Sequence, residues 1–143
     1  MTGNIRTANA RWVEGKEFDI ETGSGHHVVV DTSVKGGGKD HGPTPMELVL
    51  VGLAGCTAMD VIDILKKKRE PVTGLQVRVD GTKVEELPSV YSHIEICYTV
   101  HGKGISSEAV EQAIHLSETK YCSVGAMLEK AAKIKTRYEI VKG

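Results

Sequence analysis

The chain has 143 residues, of which 40% are apolar and 26% charged, and its formal net charge is -1. This length and composition predict a single globular domain over residues 1–143, with a core of useful size, rather than a disordered chain. Lys and Arg are spread along the sequence, so there is no electrostatic basis for binding nucleic acid or an anionic membrane.

Targeting signals and cysteine usage indicate the compartment. Met1–Arg11 shows no charged segment followed by an apolar run, so we expect no secretory signal. The longest nearly uncharged apolar run, Leu48–Met59, spans 12 residues, which suits a buried helix and is too short for a bilayer. We therefore expect a cytoplasmic protein with reduced thiols. Three cysteines without a CxxC pair predict no disulfide framework and no structural zinc site, and we expect neither metal nor cofactor.

The first third of the chain predicts strands. Arg11–Val13 and Phe18–Ile20 flank a tight turn at Glu14–Lys16, and a third apolar run lies in His27–Asp31. The glycine cluster in Val34–Gly42 is typical of a loop, and its spacing is not that of a phosphate-binding loop.

A long helix follows this loop. Thr44 as N-cap, Pro45 at the first helical position and Glu47 as the partner of a capping box predict its start, and Pro71 predicts its end. Leu48–Leu65 is apolar on nearly all sides, so we expect a central helix that is covered all round.

The second half of the chain predicts more strands and helices. Leu75–Val79 and Ile94–Val100 alternate in polarity, which indicates an antiparallel hairpin with one buried face. Ser106 or Ser107 is expected to cap a helix. The last predicted elements are a short helix from about Cys122 to Ala132 and a closing strand at Tyr138–Val141. Strands, helix, strands, helices and strand in this order predict an α+β fold.

Two cysteines, Cys56 and Cys122, lie in predicted helices. A core accepts cysteine readily, so each alone is explained as a core residue. Asp60 and Asp63 follow Cys56 by about one and two turns, and bare carboxylates there would raise its pKa unless they hold a cation or point away. Cys122, in the first turn of its helix, is better placed to ionise. We expect Cys97, within a strand, to be structural.

The sequence around both cysteines resembles that of a known family. Gly42–Leu48 followed by Ala54–Cys56 resembles the first cysteine helix of the OsmC/Ohr proteins (osmotically inducible protein C and organic hydroperoxide resistance proteins). Tyr121–Val124 resembles the start of that family's second cysteine helix, and the helix start Pro45–Leu48 points to a less characterised branch.

The resemblance implies a fold and an activity. The fold is an intertwined homodimer in which antiparallel sheets wrap around long central helices. The activity is reduction of small organic hydroperoxides by a reactive cysteine, matched by Cys56. Cys122 matches the resolving cysteine, and a dithiol reductant reopens the disulfide between them.

Two catalytic positions of the family differ here. The family's glutamate, ten residues before the first cysteine, falls on Met46, and Glu47 matches the adjacent position. No arginine occurs between Trp12 and Arg69. The candidates to replace the family's arginine are Lys35, Lys39 and Arg11.

The main hypothesis is a cysteine-based peroxidase in oxidative stress defence. Cys56, Cys122 and Glu47 would be catalytic, although the capping box explains Glu47 by itself. The expected apolar substrate pocket, completed by the dimer partner, is lined by Met46, Leu53, Met59 and Tyr121. Two alternatives stay open: a protein of the same fold that binds a small ligand without turnover, and a redox-sensing interaction protein.

Overall fold

The computed structural model of the protein describes residues 4–143, so Met1–Gly3, part of the segment examined for a secretory signal, lies outside the described residues. The chain divides into two compact units, one up to Val49 and one from Leu50 to Gly143. The predicted α+β class is confirmed by two small sheets and three α-helices in the described chain. That the whole chain is one domain stays a prediction.

The first unit contains a three-stranded antiparallel sheet, as the sequence predicts. Its strands, in sheet order, are β1 (Ala8–Glu14), β2 (Glu17–Thr22) and β3 (His27–Val30). The register pairs Trp12 with Phe18 and Ile20 with Val28. Gly15 in the first turn has a φ of 55°, a conformation that favours glycine.

The loop after β3 is organised around one buried carboxylate, Asp31. It accepts hydrogen bonds from the backbone N–H groups of Thr32, Lys39 and His41, at 2.7, 3.1 and 3.2 Å. Burial by itself would raise the pKa of Asp31, but these three donors outweigh burial and hold the pKa below its ordinary value. The backbone of the glycine-rich segment therefore folds around the Asp31 carboxylate and is held there by these hydrogen bonds.

The long helix α1 spans Pro45–Lys67, and its predicted start is confirmed. The Glu47 carboxylate accepts from the Thr44 N–H at 2.9 Å, and the Thr44 hydroxyl accepts from the Glu47 N–H at 3.2 Å. These reciprocal bonds form the capping box. The helix ends before Arg69, which has a φ of 60°, and Pro71 follows.

Only one stripe of α1 is buried, which corrects the expectation of a helix covered all round. The buried residues recur every four positions and are Leu53, Thr57, Val61 and Leu65. Val51 and Met59 on other faces are 59% and 72% exposed. By length and composition (mean hydropathy 2.0 over 18 residues, 22% buried), α1 could also cross a membrane, a test that the core helices of soluble proteins pass as well.

The sheet of the second unit is mixed, whereas the family resemblance implied antiparallel sheets. Its strands, in sheet order, are β4 (Gly74–Lys83), β5 (Tyr91–His101) and β6 (Lys133–Val141). The predicted β4–β5 hairpin is confirmed as antiparallel, but β6 runs parallel to β5. The connecting elements are α2 (Ser107–Leu116), a π-helical turn (Ser117–Tyr121) and α3 (Ser123–Leu128). This crossover returns the chain to the end of the sheet where β5 began, so β6 must run parallel to it.

The two faces of β5 differ in burial, as its alternating sequence predicts. Ile94, Ile96, Tyr98 and Val100 are buried, whereas Cys97 between them is partly exposed. The helices contribute further buried residues to this core: Leu53, Val61, Leu65, Val110, Ala113 and Ile114. Ser106 caps α2 through a bond from the Ala109 N–H at 3.2 Å, which decides between the two predicted caps.

Candidate functional site

Three reactive or charged side chains converge in the second unit. The Sγ atoms of Cys56 and Cys122 and a carboxylate oxygen of Asp60 all lie within 4.8 Å of one another. Cys56 and Asp60 are one turn apart on α1 and therefore share a face. Cys122 joins them from the N-cap position of α3. Both thiols are free, so the structure shows a reduced pair whose sulfurs lie within 4.8 Å of each other.

The π-helical turn between α2 and α3 positions Cys122. The Cys122 N–H donates to the Ser117 carbonyl at 2.8 Å, which closes this wide turn. The Ser117 hydroxyl, fully buried, donates to Asp60 Oδ2 at 3.0 Å. One serine thus ties the turn that carries Cys122 to the α1 face that carries Cys56. Such widened turns often occur at functional sites.

The Cys122 thiol is held in its protonated form. Burial, followed by the neighbouring Cys56, raises the pKa of Cys122 to about 11, and Asp60 adds to the effect. The Gly125 N–H donates to Cys122 Sγ at 3.2 Å and opposes the shift, but it is outweighed. The expectation that Cys122 is well placed to ionise is therefore wrong, because burial, Cys56 and Asp60 together outweigh the single N–H donor at the helix start.

Two depressions lie near this cluster, one lined in part by Cys122 and the other lined in part by Asp60. A narrow cavity of about 100 Å³ lies against Cys122 and is lined by apolar groups of Leu53, Ile96 and Ile134, with Glu118 and Glu129 at its polar side. A wider depression of about 360 Å³ adjoins Asp60 and Tyr121. Cys122 therefore borders an apolar cavity, and Asp60 borders a wider depression with charged residues in its walls.

The four residues predicted to line a substrate pocket differ in burial and in their position along the fold. Leu53 is fully buried beside Cys122, and Tyr121, half exposed, lines the wider depression. Met59 is largely exposed. Met46 is half-buried near the start of α1, in the first unit.

The other candidate catalytic groups lie in the first unit; Glu47, Lys39 and Arg11 have structural partners there, whereas Lys35 has no ion pair among residues 4–143. Glu47 belongs to the capping box. Lys39 Nζ lies 2.6 Å from a carboxylate oxygen of Glu14, and Arg11 Nη2 lies 3.1 Å from Asp19. These contacts account for the three side chains without any part in catalysis.

Sequence reasoning missed two polar residues beside the thiols, Ser117 and Tyr98. Ser117 falls on the apolar face of α2, and no local pattern distinguishes a hydroxyl aimed at a carboxylate 57 residues away. Among residues 4–143 the Tyr98 hydroxyl is buried without a hydrogen-bond partner of normal geometry. Burial raises the pKa of Tyr98 to about 12, against a smaller lowering by the nearby Thr57 hydroxyl.

Comparison with known proteins identifies the family. A model of the family described as OsmC-like protein matches residues 36–137, which is most of the chain. The chain belongs to the OsmC-like protein family. The OsmC-like relative YhfA from Escherichia coli (strain K12) is 42% identical over 134 residues, which are 94% of this chain and 97% of YhfA.

Solved structures share the OsmC-like fold over nearly the whole chain. A hypothetical protein from Aquifex aeolicus VF5 is 33% identical, with a TM-score of 0.86 and 98% of each chain covered. The organic hydroperoxide resistance protein OsmC from Legionella pneumophila has a TM-score of 0.69, with 93% of this chain and 96% of that chain covered. It is only 12% identical, so it shares the fold alone.

Proposed function

We propose that this protein is a cysteine-based peroxidase that reduces organic hydroperoxides, acts in oxidative stress defence in the cytoplasm, and is recycled by a small dithiol. The observation that carries the proposal is the approach of Cys56 Sγ and Cys122 Sγ to within 4.8 Å, with both thiols free. A disulfide needs the sulfurs at about 2.05 Å. The sulfurs must therefore move towards each other by up to about 2.8 Å before the bond can form.

The proposed reaction has three balanced steps. The Cys56 thiolate attacks the terminal oxygen of ROOH and breaks the O–O bond, which yields Cys56–SOH and an alkoxide that takes up a proton to leave as ROH. The Cys122 thiol then attacks the sulfenic sulfur, forming the disulfide as water leaves with the thiol proton. Finally a dithiol donates two electrons and two protons, becoming a disulfide itself, and restores both thiols.

The protonation of Cys122 supports this division of labour. Its pKa of about 11 keeps it neutral at physiological pH, so it is a poor first nucleophile. Because Cys122 is neutral, the site does not have to accommodate two adjacent thiolates beside the Asp60 carboxylate. We therefore assign peroxide attack to Cys56, which is the less buried of the two.

The surroundings favour an apolar peroxide carried by a homodimer. Leu53, Ile96 and Ile134 line the cavity beside Cys122 and would contact an alkyl or aryl group rather than hydrogen peroxide. Val51 and Met59 leave an apolar face of α1 exposed in the isolated chain, and a second copy of the chain would cover it. Substitution of Met59 by Asp should lower the sedimentation mass if this face is the dimer contact.

The deciding experiment mixes reduced protein with one equivalent of cumene hydroperoxide or, in parallel, hydrogen peroxide. Intact mass and peptide mapping over seconds to minutes should show loss of two hydrogens and a Cys56–Cys122 cross-link, faster with the organic peroxide. If both thiols stay free, or react no faster than an ordinary cysteine, the peroxidase proposal fails. The non-catalytic ligand-binding or redox-sensing alternative would then replace it, and Asp60, an anion beside both sulfurs, is the observation that favours it.

A further inference from the structure

The carboxylate beside the two sulfurs is the feature that thiol–peroxide chemistry does not explain. Asp60 lies within 4.8 Å of both Sγ atoms, and among residues 4–143 it has no ion-pair partner. Its polar contact is the hydrogen bond from Ser117. A carboxylate within 4.8 Å of both sulfurs would repel a thiolate at either position. A positive charge between the three groups would reverse this penalty.

We propose that Cys56, Asp60 and Cys122 form a binding site for a thiophilic divalent cation of the zinc class. Two thiolates and one carboxylate are a donor set that zinc accepts in sites with three protein ligands and one open position. This site uses the same sulfurs as the proposed peroxidase reaction, but it depends only on the geometry of three atoms and not on turnover.

The distances fit an ion of this class. With Zn–S near 2.3 Å and Zn–O near 2.1 Å, the ligand atoms of a tetrahedral ion lie about 3.6–3.8 Å apart. The three atoms here lie within 4.8 Å of one another, so they need to approach by no more than about 1.2 Å. Cys56 and Asp60 are four residues apart on one rigid helix, which already presents two ligands on one face.

The groups behind the ligands are placed as a metal site requires. The buried Ser117 hydroxyl donates to Asp60 Oδ2 at 3.0 Å and orients the carboxylate, while the Gly125 N–H donates to Cys122 Sγ at 3.2 Å. Such contacts fix the orientation of metal ligands and stabilise their charged forms. The depression that Asp60 and Tyr121 help to line opens the carboxylate side of the cluster to solvent, which gives an ion a path of entry.

The other possible ligand cluster in the described chain, Glu17, Asp31 and His41, lacks these properties. Its Asp31 oxygens already accept three backbone N–H groups, and His41 Nδ1 lies 2.6 Å from Glu17 Oε1. Those contacts occupy the lone pairs that an ion would need. The thiol cluster instead keeps both sulfurs free of ion pairs and disulfides.

A cation bound here would change the chemistry of the pair. Binding replaces the thiol protons, which leave to solvent, and engages both sulfurs without any change in oxidation state. The cation and a hydroperoxide therefore compete for the same atoms. The loaded form would protect the pair from oxidation, and the free form would be the reactive one.

The test is a titration of reduced, chelator-treated protein with Co²⁺, followed by Zn²⁺ in competition with a chromophoric chelator. We expect one ion per chain and a thiolate-to-cobalt charge-transfer band that Zn²⁺ displaces. Cys56→Ser and Cys122→Ser should each lose about half of the band, and Asp60→Asn should weaken binding about 10-fold or more. Asp63→Asn, the control on the same helix, removes an exposed carboxylate paired with Lys67 and should bind as the parent does.

A second readout needs no variant. Zn²⁺ should protect Cys56 and Cys122 of the parent protein from alkylation while Cys97 keeps its rate. The absence of a charge-transfer band, equal binding by Asp60→Asn and Asp63→Asn, or equal protection of all three thiols would each overturn the inference. Hydroperoxide turnover of the metal-free protein is measured separately. Turnover without ion binding defeats the inference alone, and ion binding without turnover defeats the proposed function alone.

Discussion

Cys97 and the Cys56–Cys122 pair have opposite surroundings within the same unit. Cys97 lies on the open face of β5, in register between Arg78 of β4 and Arg137 of β6. Both guanidinium groups are engaged by carboxylates, at 3.0 and 3.1 Å. The thiol pair lies on the other side of the sheet, where its charged neighbour is Asp60.

Under the proposed function, proximity rather than local positive charge distinguishes the Cys56–Cys122 pair from Cys97. Cys97 has an arginine in register on each neighbouring strand, but it does not belong to the cluster that contains Cys56 and Cys122. An oxidised Cys97 would therefore have no second thiol beside it to form a disulfide. Cys122 has an anion beside it and a pKa of about 11, yet Cys56 is close enough to react with it once oxidised. The two sites should therefore respond differently to substitution, pH and oxidant.

The largest expected effect is on peroxide turnover, and it distinguishes Cys56 from Cys97. Cys56→Ser should lower turnover of cumene hydroperoxide by several orders of magnitude, because the attacking atom is removed. Cys97→Ser should turn over at the parental rate. The measurement is peroxide consumption in the presence of a dithiol. A comparable loss in both variants would erase the distinction between the two regions.

The two faces of β5 should also differ in stability. Tyr98→Phe removes a buried hydroxyl without a partner among the described residues, so the free energy of unfolding should stay level or rise by up to about 1–3 kcal/mol. Cys97→Ser on the open face should change it by less than about 0.5 kcal/mol. Urea unfolding measures both. A loss of about 1 kcal/mol in Tyr98→Phe would show instead that the hydroxyl bonds to Thr57.

The raised pKa of Cys122 predicts a pH dependence of stability. Its ordinary value is 9.0 and its folded value about 11, so above pH 9 the unfolded chain loses this proton first. The contribution is therefore complete below pH 9 and is lost as the pH rises to about 11. Cys122→Ala should lose stability less steeply than the parent across this window in urea unfolding.

Cys97→Ser is the matched control for that window and should keep the parental slope. Tyr98, with a folded pKa of about 12 against an ordinary 10.0, adds a second loss at higher pH. Tyr98→Phe should therefore flatten the curve only above pH 10. Identical slopes for the parent and Cys122→Ala between pH 9 and 11 would contradict the assignment of a neutral, buried thiol.

The smallest effect concerns the far end of α1 and separates capping from catalysis. Thr44→Ala should cost about 0.5–2 kcal/mol of stability, because the N-cap hydroxyl is lost. Glu47→Gln can keep the capping bond while removing the charge, so its stability should stay near that of the parent. If peroxide turnover nevertheless falls in Glu47→Gln, the carboxylate has a catalytic part. Unchanged turnover leaves it as a cap.

Local sequence was sufficient for most of the secondary structure. Alternation located β4 and β5, the Thr44–Glu47 capping box placed the start of α1, and the Ser106–Ser107 pair marked the start of α2. These signals act over a few residues, so a pattern can be read without knowing the fold. The motifs around both cysteines were also sufficient for the family, which the match over residues 36–137 confirms.

Tertiary structure decided what depends on residues far apart in the chain. The parallel pairing of β6, the hydrogen bond from Ser117 to Asp60 and the exposed face of α1 follow from how distant segments pack. The protonation of Cys122 is the clearest case. From the sequence, the position of Cys122 at a helix start favoured ionisation. In the structure, burial and the nearby Cys56 raise the pKa of Cys122 instead, and only the fold brings Cys56 and Cys122 together.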